Sequence, residues 1–102
     1  MPSWIKVATI QEVPEATGLE VVAGDRIVAL FRIGDEVVAL DGICPHAGGP
    51  LAQGRVNQQI VTCPWHGWQF HVATGRHCLN ANLTQPRVAI RVENDEIFVE
   101  VP

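Results

Sequence analysis

Short runs of Val, Ile and Leu, broken by Gly-Asp and Asn-Asp pairs, set the pattern of the chain. Trp4 to Ile10 suits a first strand, and Gln11 to Gly18, with Pro14 and two Glu, reads as a connection with room for one helical turn. Leu19 to Ala23, Arg26 to Ile33 and Glu36 to Asp41 are separated by Gly24-Asp25 and Gly34-Asp35, two-residue turns that suit tight hairpins. An antiparallel meander is expected. In its middle strand Ile27, Ala29, Phe31 and Ile33 point one way, and Val28, Leu30 and Arg32 the other. A strand apolar on nearly both sides lies between layers, as in a β-sandwich or small barrel. Near the end, Val88, Ile90 and Val92 alternate inward, Asn94-Asp95 turns, and Ile97, Val99 and Val101 alternate back. This hairpin is expected to close the main sheet.

Between these regions the pattern is less regular. Arg55-Val56 and Ile60 to Thr62 can pair across Asn57-Gln58-Gln59, and Trp68 to Val72 leads through Ala73-Thr74-Gly75-Arg76 into Cys78. His77 to Pro86 follows no period. There is no internal repeat, low-complexity tract or linker, so the expectation is one all-β domain over residues 1–102. Its base is sandwich-like, with a smaller part, roughly residues 42 to 86, inserted between the strands.

Composition narrows the function classes. At 47% apolar and 18% charged, the 102 residues describe a packed globular protein. The net charge is −4, Lys6 is the only lysine, and no basic stripe exists, which disfavours nucleic acid. Three cysteines, an odd number in a short chain, argue against a disulfide scaffold and for a reducing compartment. M-P-S-W-I-K-V lacks a basic segment followed by an apolar core, and no run reaches the roughly eighteen apolar residues of a membrane span. A soluble, cytoplasmic protein with no membrane contact is therefore expected.

The candidate chemistry sits in C-P-H-A-G-G-P-L, beginning at Cys44, and C-P-W-H-G-W-Q-F, beginning at Cys63. Each holds a Cys/His pair, Cys44 with His46 and Cys63 with His66, among Pro and Gly residues that mark loops. A lone Cys or His is most often a packing or surface residue, but the repeated order of the two makes coincidence a poor account. Two thiolates and two imidazoles satisfy tetrahedral zinc, and equally an iron pair with bridging sulfides. Zinc fingers usually take both Cys from one knuckle and both His from a helix, whereas here each loop supplies one of each.

C-x-H, sixteen intervening residues and then C-x2-H, with Pro after both Cys and Gly after His66, resembles the Rieske [2Fe-2S] motif. The likeness extends to G-G-P-L after the first pair and to the aromatic run after the second. It implies a Rieske-like antiparallel β-sandwich or barrel base with a small cluster-binding subdomain. It also implies one [2Fe-2S] cluster, with Cys44 and Cys63 on one iron and His46 and His66 on the other, nearer solvent. A third loop, covering the cluster from the side, would fall within His77 to Pro86. Neutral imidazoles in place of two thiolates make the cluster less negative and easier to reduce, in a family range of roughly −150 to +300 mV. The disulfide and the Ser and Tyr hydroxyls of high-potential members have no counterparts here: Gly49, Trp65, Trp68 and Phe70 stand at those places. A low potential, about −150 mV, is the expectation. It should fall with pH once a bound imidazole deprotonates in the oxidised state.

The resemblance further implies an electron carrier, not an enzyme by itself, moving single electrons from a flavoprotein reductase to a terminal oxygenase or reductase. The alternatives are a small accessory subunit of nitrite reductase and a zinc-stabilised interaction domain. Pro45 and Pro64 would fix the loops, and Gly48, Gly49 and Gly67 would let backbone amides approach the sulfides. Trp65, Trp68 and Phe70 serve either water exclusion or core packing. Cys78 is expected to be a buried thiol, and His71 and His77 surface residues.

Overall fold

The computed structural model describes residues 3–15, 17–43, 48–65, 67–80 and 83–101. The chain opens with β1 (Ser3–Thr9), makes one 3-10 turn (Ile10–Glu12), and enters the meander β2 (Leu19–Ala23), β3 (Arg26–Ile33) and β4 (Glu36–Asp41). A second 3-10 turn (Leu51–Gln53) precedes three short strands, β5 (Arg55–Asn57), β6 (Ile60–Thr62) and β7 (Gln69–His71). The last hairpin is β8 (Ile90–Glu93) and β9 (Glu96–Val101).

Turn chemistry explains the hairpins. Gly24 and Gly34 take φ of 62° and 60°, which glycine adopts without a Cβ penalty at the first position of a two-residue turn. Gln58-Gln59 and Asn94-Asp95 instead place both turn residues at positive φ, the pattern whose twist matches a right-handed hairpin. The β5–β6 connection is thus a tight two-residue turn, with Asn57 inside β5.

Three antiparallel sheets result, in the orders β1-β9-β8, β2-β3-β4 and β5-β6-β7. The β2–β4 sheet is the middle layer. From β3, Val28 and Leu30 enter a core shared with Ala8, Ile97 and Val99, while Ala29 and Phe31 enter another shared with Val61, Cys63 and Phe70. All four β3 residues are fully buried. The two-sided apolar pattern of β3 thus has its cause: side chains alternate between faces, and both faces are covered.

The last hairpin departs from expectation in two ways. It pairs with β1 to form its own sheet, across a core from the meander, because alternation fixes which face is apolar and not which strand pairs alongside. Val92 is 43% exposed, although Ile97 opposite it is buried, since β8 is the free edge of that sheet. No helix among the described residues is long and apolar enough to cross a membrane.

Candidate metal centre

Backbone hydrogen bonds tie off each candidate loop at its root. Beyond β4, Gly42 N–H donates to the Ile27 carbonyl (2.9 Å), the Gly42 carbonyl accepts from Leu51 N–H (3.0 Å), and Ile43 forms a bridge with Pro50. Ile43 and Pro50, on either side of the first Cys/His pair, are therefore held together. The second loop, 63–68, is the connection between β6 and β7, closed by Cys63 N–H donating to the Trp68 carbonyl at 2.7 Å. Below it Thr62 pairs with Gln69, whose Nε2 donates to Thr62 Oγ1 (3.1 Å).

The two loops meet at Cys63. A methyl group at Gly49 would stand 3.0 Å from Cys63 Sγ and 2.9 Å from Trp65 Cβ, so the backbone of the first loop lies directly on the second. Gly48 and Gly67 have φ of 74° and 73°, a region that side chains rarely adopt, which explains glycine at both places. Cys63 itself is 1% exposed and packs in the apolar core with Phe31, Leu40 and Phe70.

Of the four expected ligands, Cys63 is described; Cys44, His46 and His66 lie outside the described residues, as does Pro45. Among the described residues no group of three His, Cys, Asp or Glu side chains is placed to hold a metal ion. What is described fits an iron-sulfur group. A sulfur donor is shielded from water, with the backbone of Gly49 close beside it.

A third segment borders the site. It is rooted by the bridge between Phe70 and His77 and by His77 N–H donating to the Leu83 carbonyl (3.0 Å). His77, expected at the surface, is 8% exposed and stands edge-on to Trp68 and Phe70, with ring centroids 4.8 and 5.2 Å away. Its Nδ1 accepts the N–H groups of Leu79 (3.1 Å) and Asn80 (3.2 Å), so the proton of the neutral ring sits on Nε2. Polarity alone suggests a solvent position, but the backbone bridge draws the ring under the segment and the two amides pair with Nδ1, while Nε2 is buried with no partner among the described residues. Cys78 is half-buried instead of buried, and His71 is exposed as expected. Phe70 is pure core; Trp68 packs against that core from a half-buried position.

Two features carry no signal in the sequence pattern. Gln85 is completely buried in the irregular segment. Large apolar side chains also stand exposed on all three segments around the site: Ile43 (41%), Trp65 (50%) and Leu79 (91%).

Comparison with known proteins agrees with this geometry. Residues 3–95 match the Rieske [2Fe-2S] domain. The chain is 35% identical over 104 residues to the anthranilate 1,2-dioxygenase ferredoxin subunit of Burkholderia cepacia, covering 99% of this chain and 94% of that protein. Its fold superimposes with a TM-score of 0.86 on the ferredoxin of carbazole 1,9a-dioxygenase from Nocardioides aromaticivorans IC177, at 27% identity and covering 95% and 96% of the two chains. A solved complex of reduced oxygenase and oxidised ferredoxin in carbazole 1,9a-dioxygenase matches with a TM-score of 0.83 and 26% identity, covering 94% and 91%. A protein described as an NADH-dependent nitrite reductase small subunit from Mycobacterium tuberculosis shares the fold, with a TM-score of 0.87 at 23% identity and coverage of 100% and 97%. The chain belongs to the Rieske [2Fe-2S] domain family.

Proposed function

We propose that this protein is a Rieske ferredoxin, a one-electron carrier between a flavoprotein reductase and the terminal oxygenase of a ring-hydroxylating dioxygenase system. Its cofactor is one Rieske-type [2Fe-2S] cluster, which when bound supplies reversible one-electron exchange without group transfer. In this reading Cys44 and Cys63 are the thiolate ligands, His46 and His66 the imidazole ligands, and residues 42–86 form the cluster-binding part of a single domain.

The observation that carries the reading is the contact of Gly49 with Cys63 Sγ, which brings the two Cys/His loops together in a chain of this family. Each nearby residue then has a task. The core around Cys63 keeps water from the thiolate side. Phe70, apolar and fully buried, has no hydroxyl to stabilise a reduced site, which supports a low potential. Ile43, Trp65 and Leu79 are exposed apolar side chains, one on each of the three segments, that a redox partner can cover. The nearly full-length match to a dioxygenase ferredoxin subunit supports the carrier role, with catalysis left to the partner; a cytoplasmic location belongs to the same reading.

The nitrite reductase subunit reading rests on likeness below a quarter identity, which speaks for the fold alone. Zinc stabilisation loses its basis with membership of an iron-sulfur family. The test is electron transfer in a reconstituted chain: the loaded protein should be reduced by a flavoprotein reductase and reoxidised by a terminal oxygenase. A stable stoichiometric complex with a nitrite reductase, and no reoxidation by any oxygenase, would reverse the assignment.

A further inference from the structure

Gln85 lies far along the chain from both candidate loops, yet its side chain reaches the root of the first. Its Nε2 donates to the carbonyls of Asp41 (2.5 Å) and Ile43 (2.7 Å), which flank Gly42. A primary amide nitrogen has two N–H donors and nothing to accept with, so two carbonyl partners use both and fix the orientation of the group. The remaining atom, Oε1, is buried and has no partner among the described residues. Leaving an acceptor dry is unfavourable, and an apolar side chain would fill the same space without that cost. The residue is therefore explained by its donors and not by its volume.

The position of those donors matters. The Ile43 carbonyl belongs to the peptide unit that joins Ile43 to Cys44, and that unit is planar. Holding the oxygen holds the direction in which the chain leaves Ile43. The other anchors of Gln85 are as firm: its own N–H donates to the Gly75 carbonyl (2.6 Å), and Asp41 N–H donates to Pro86 next door (2.8 Å). Gly75, at φ of 79°, comes so close that a Cβ there would stand 2.1 Å from the Gln85 carbonyl. Gly75 N–H in turn donates to the carbonyl of His71, the last residue of β7, which leaves the second loop.

We propose that Gln85 is a positioning residue for the cluster, locking the root of the first ligand loop to the turn that follows the second. The assignment rests on the ferredoxin reading and on Cys44 and His46 as ligands. Through this lock the spacing of the two loops is set from outside the loops themselves.

The test uses the full, cluster-loaded chain. Gln85→Met keeps the length and removes both donors; Val99→Ala, in the core on the other side of the meander, serves as a control for general loss of stability. Both are read well below their unfolding temperatures by the reduced-state EPR spectrum, by the midpoint potential and by the rate of iron release to a chelator. Gln85→Met should broaden and shift the EPR lines and speed iron release roughly 10- to 100-fold over wild type, the size of effect produced by removing outer partners of metal ligands. Val99→Ala should leave spectrum and release rate at wild-type values. Identical spectra, potentials and release rates in the two variants would overturn the proposal. If Gln85→Met does not fold, Gln85→Asn decides instead: one methylene short, it cannot span both carbonyls, and a spectrum indistinguishable from wild type would overturn the proposal. Wild-type protein without iron and sulfide would instead sink the ferredoxin reading, and this one with it.

Discussion

Two apolar cores share β3 and are made of different side chains. The core between the β1-β9-β8 sheet and the meander is aliphatic throughout, built from Ala, Val, Leu and Ile. The core between the meander and β5–β7 holds Phe31, Phe70 and Cys63, and His77 stands edge-on to Phe70 at its border. Aliphatic packing of the first kind needs only the right volume and alternation, and it tolerates exchange. On the ferredoxin reading the second also places the Cys63 sulfur, so its aromatic rings and buried polar groups act on position as well as on stability. The same strand thus serves a scaffold on one face and a site on the other.

The comparison is broken most sharply at Phe70. Phe70→Ala should cost about 3–5 kcal/mol, a large share of the roughly 5–15 kcal/mol that holds a domain of this kind folded. Cluster content should collapse with it. Denaturant unfolding and visible absorbance check both, and a loss of stability with full cluster retention would show that the site does not depend on this core. Ile97→Ala should destabilise by about 2–5 kcal/mol but leave the midpoint potential of the folded fraction unchanged. A potential that moves with Ile97 would mean that the two cores are not separable.

Gly49→Ala acts on the site alone. Its methyl group would press on Cys63 Sγ and Trp65, and the strain of such overpacking is typically about 1–3 kcal/mol. The cluster-free chain should lose about that much stability and cluster loading should fall as well; equal loading in mutant and wild type would refute the contact as a constraint.

The scaffold half was legible in the sequence and the site half only in its chemistry. The three meander strands follow directly from β-rich runs between Gly-Asp turns, and β3 announces its two-sided burial through Val28, Ala29, Leu30 and Phe31. The Cys/His spacing carried the family without any periodicity at all. His77 and Gln85 were not legible, because a polar residue in an irregular segment is exposed by default. Only the fold reveals which carbonyls and rings await it. The pairing of the last hairpin with β1 was hidden for a related reason, since alternation reports faces and not neighbours.

The smallest effects belong to the exposed charges of the scaffold. Hydrogen bonds from the Thr9 N–H and hydroxyl hold the Glu12 carboxyl below the ordinary carboxylate range, and its contribution is lost as pH falls through that lowered value. The hydrogen bond and charge of Glu96, 2.5 Å away, raise the Lys6 ammonium, and that contribution is lost as pH rises past the raised value. Both groups are exposed and screened by salt. Melting temperature followed against pH in Glu12→Gln should lose only a weak acid limb; a large drop at neutral pH would contradict the assignment.

The most direct test of the whole account is the EPR spectrum of the purified protein, prepared without oxygen and reduced. Two irons ligated unequally, by thiolates on one and imidazoles on the other, predict a rhombic signal of low average g, which Cys63→Ala, His46→Ala and His66→Ala should each abolish. An all-thiolate type of signal, or a colourless protein with zinc in place of iron, would contradict it.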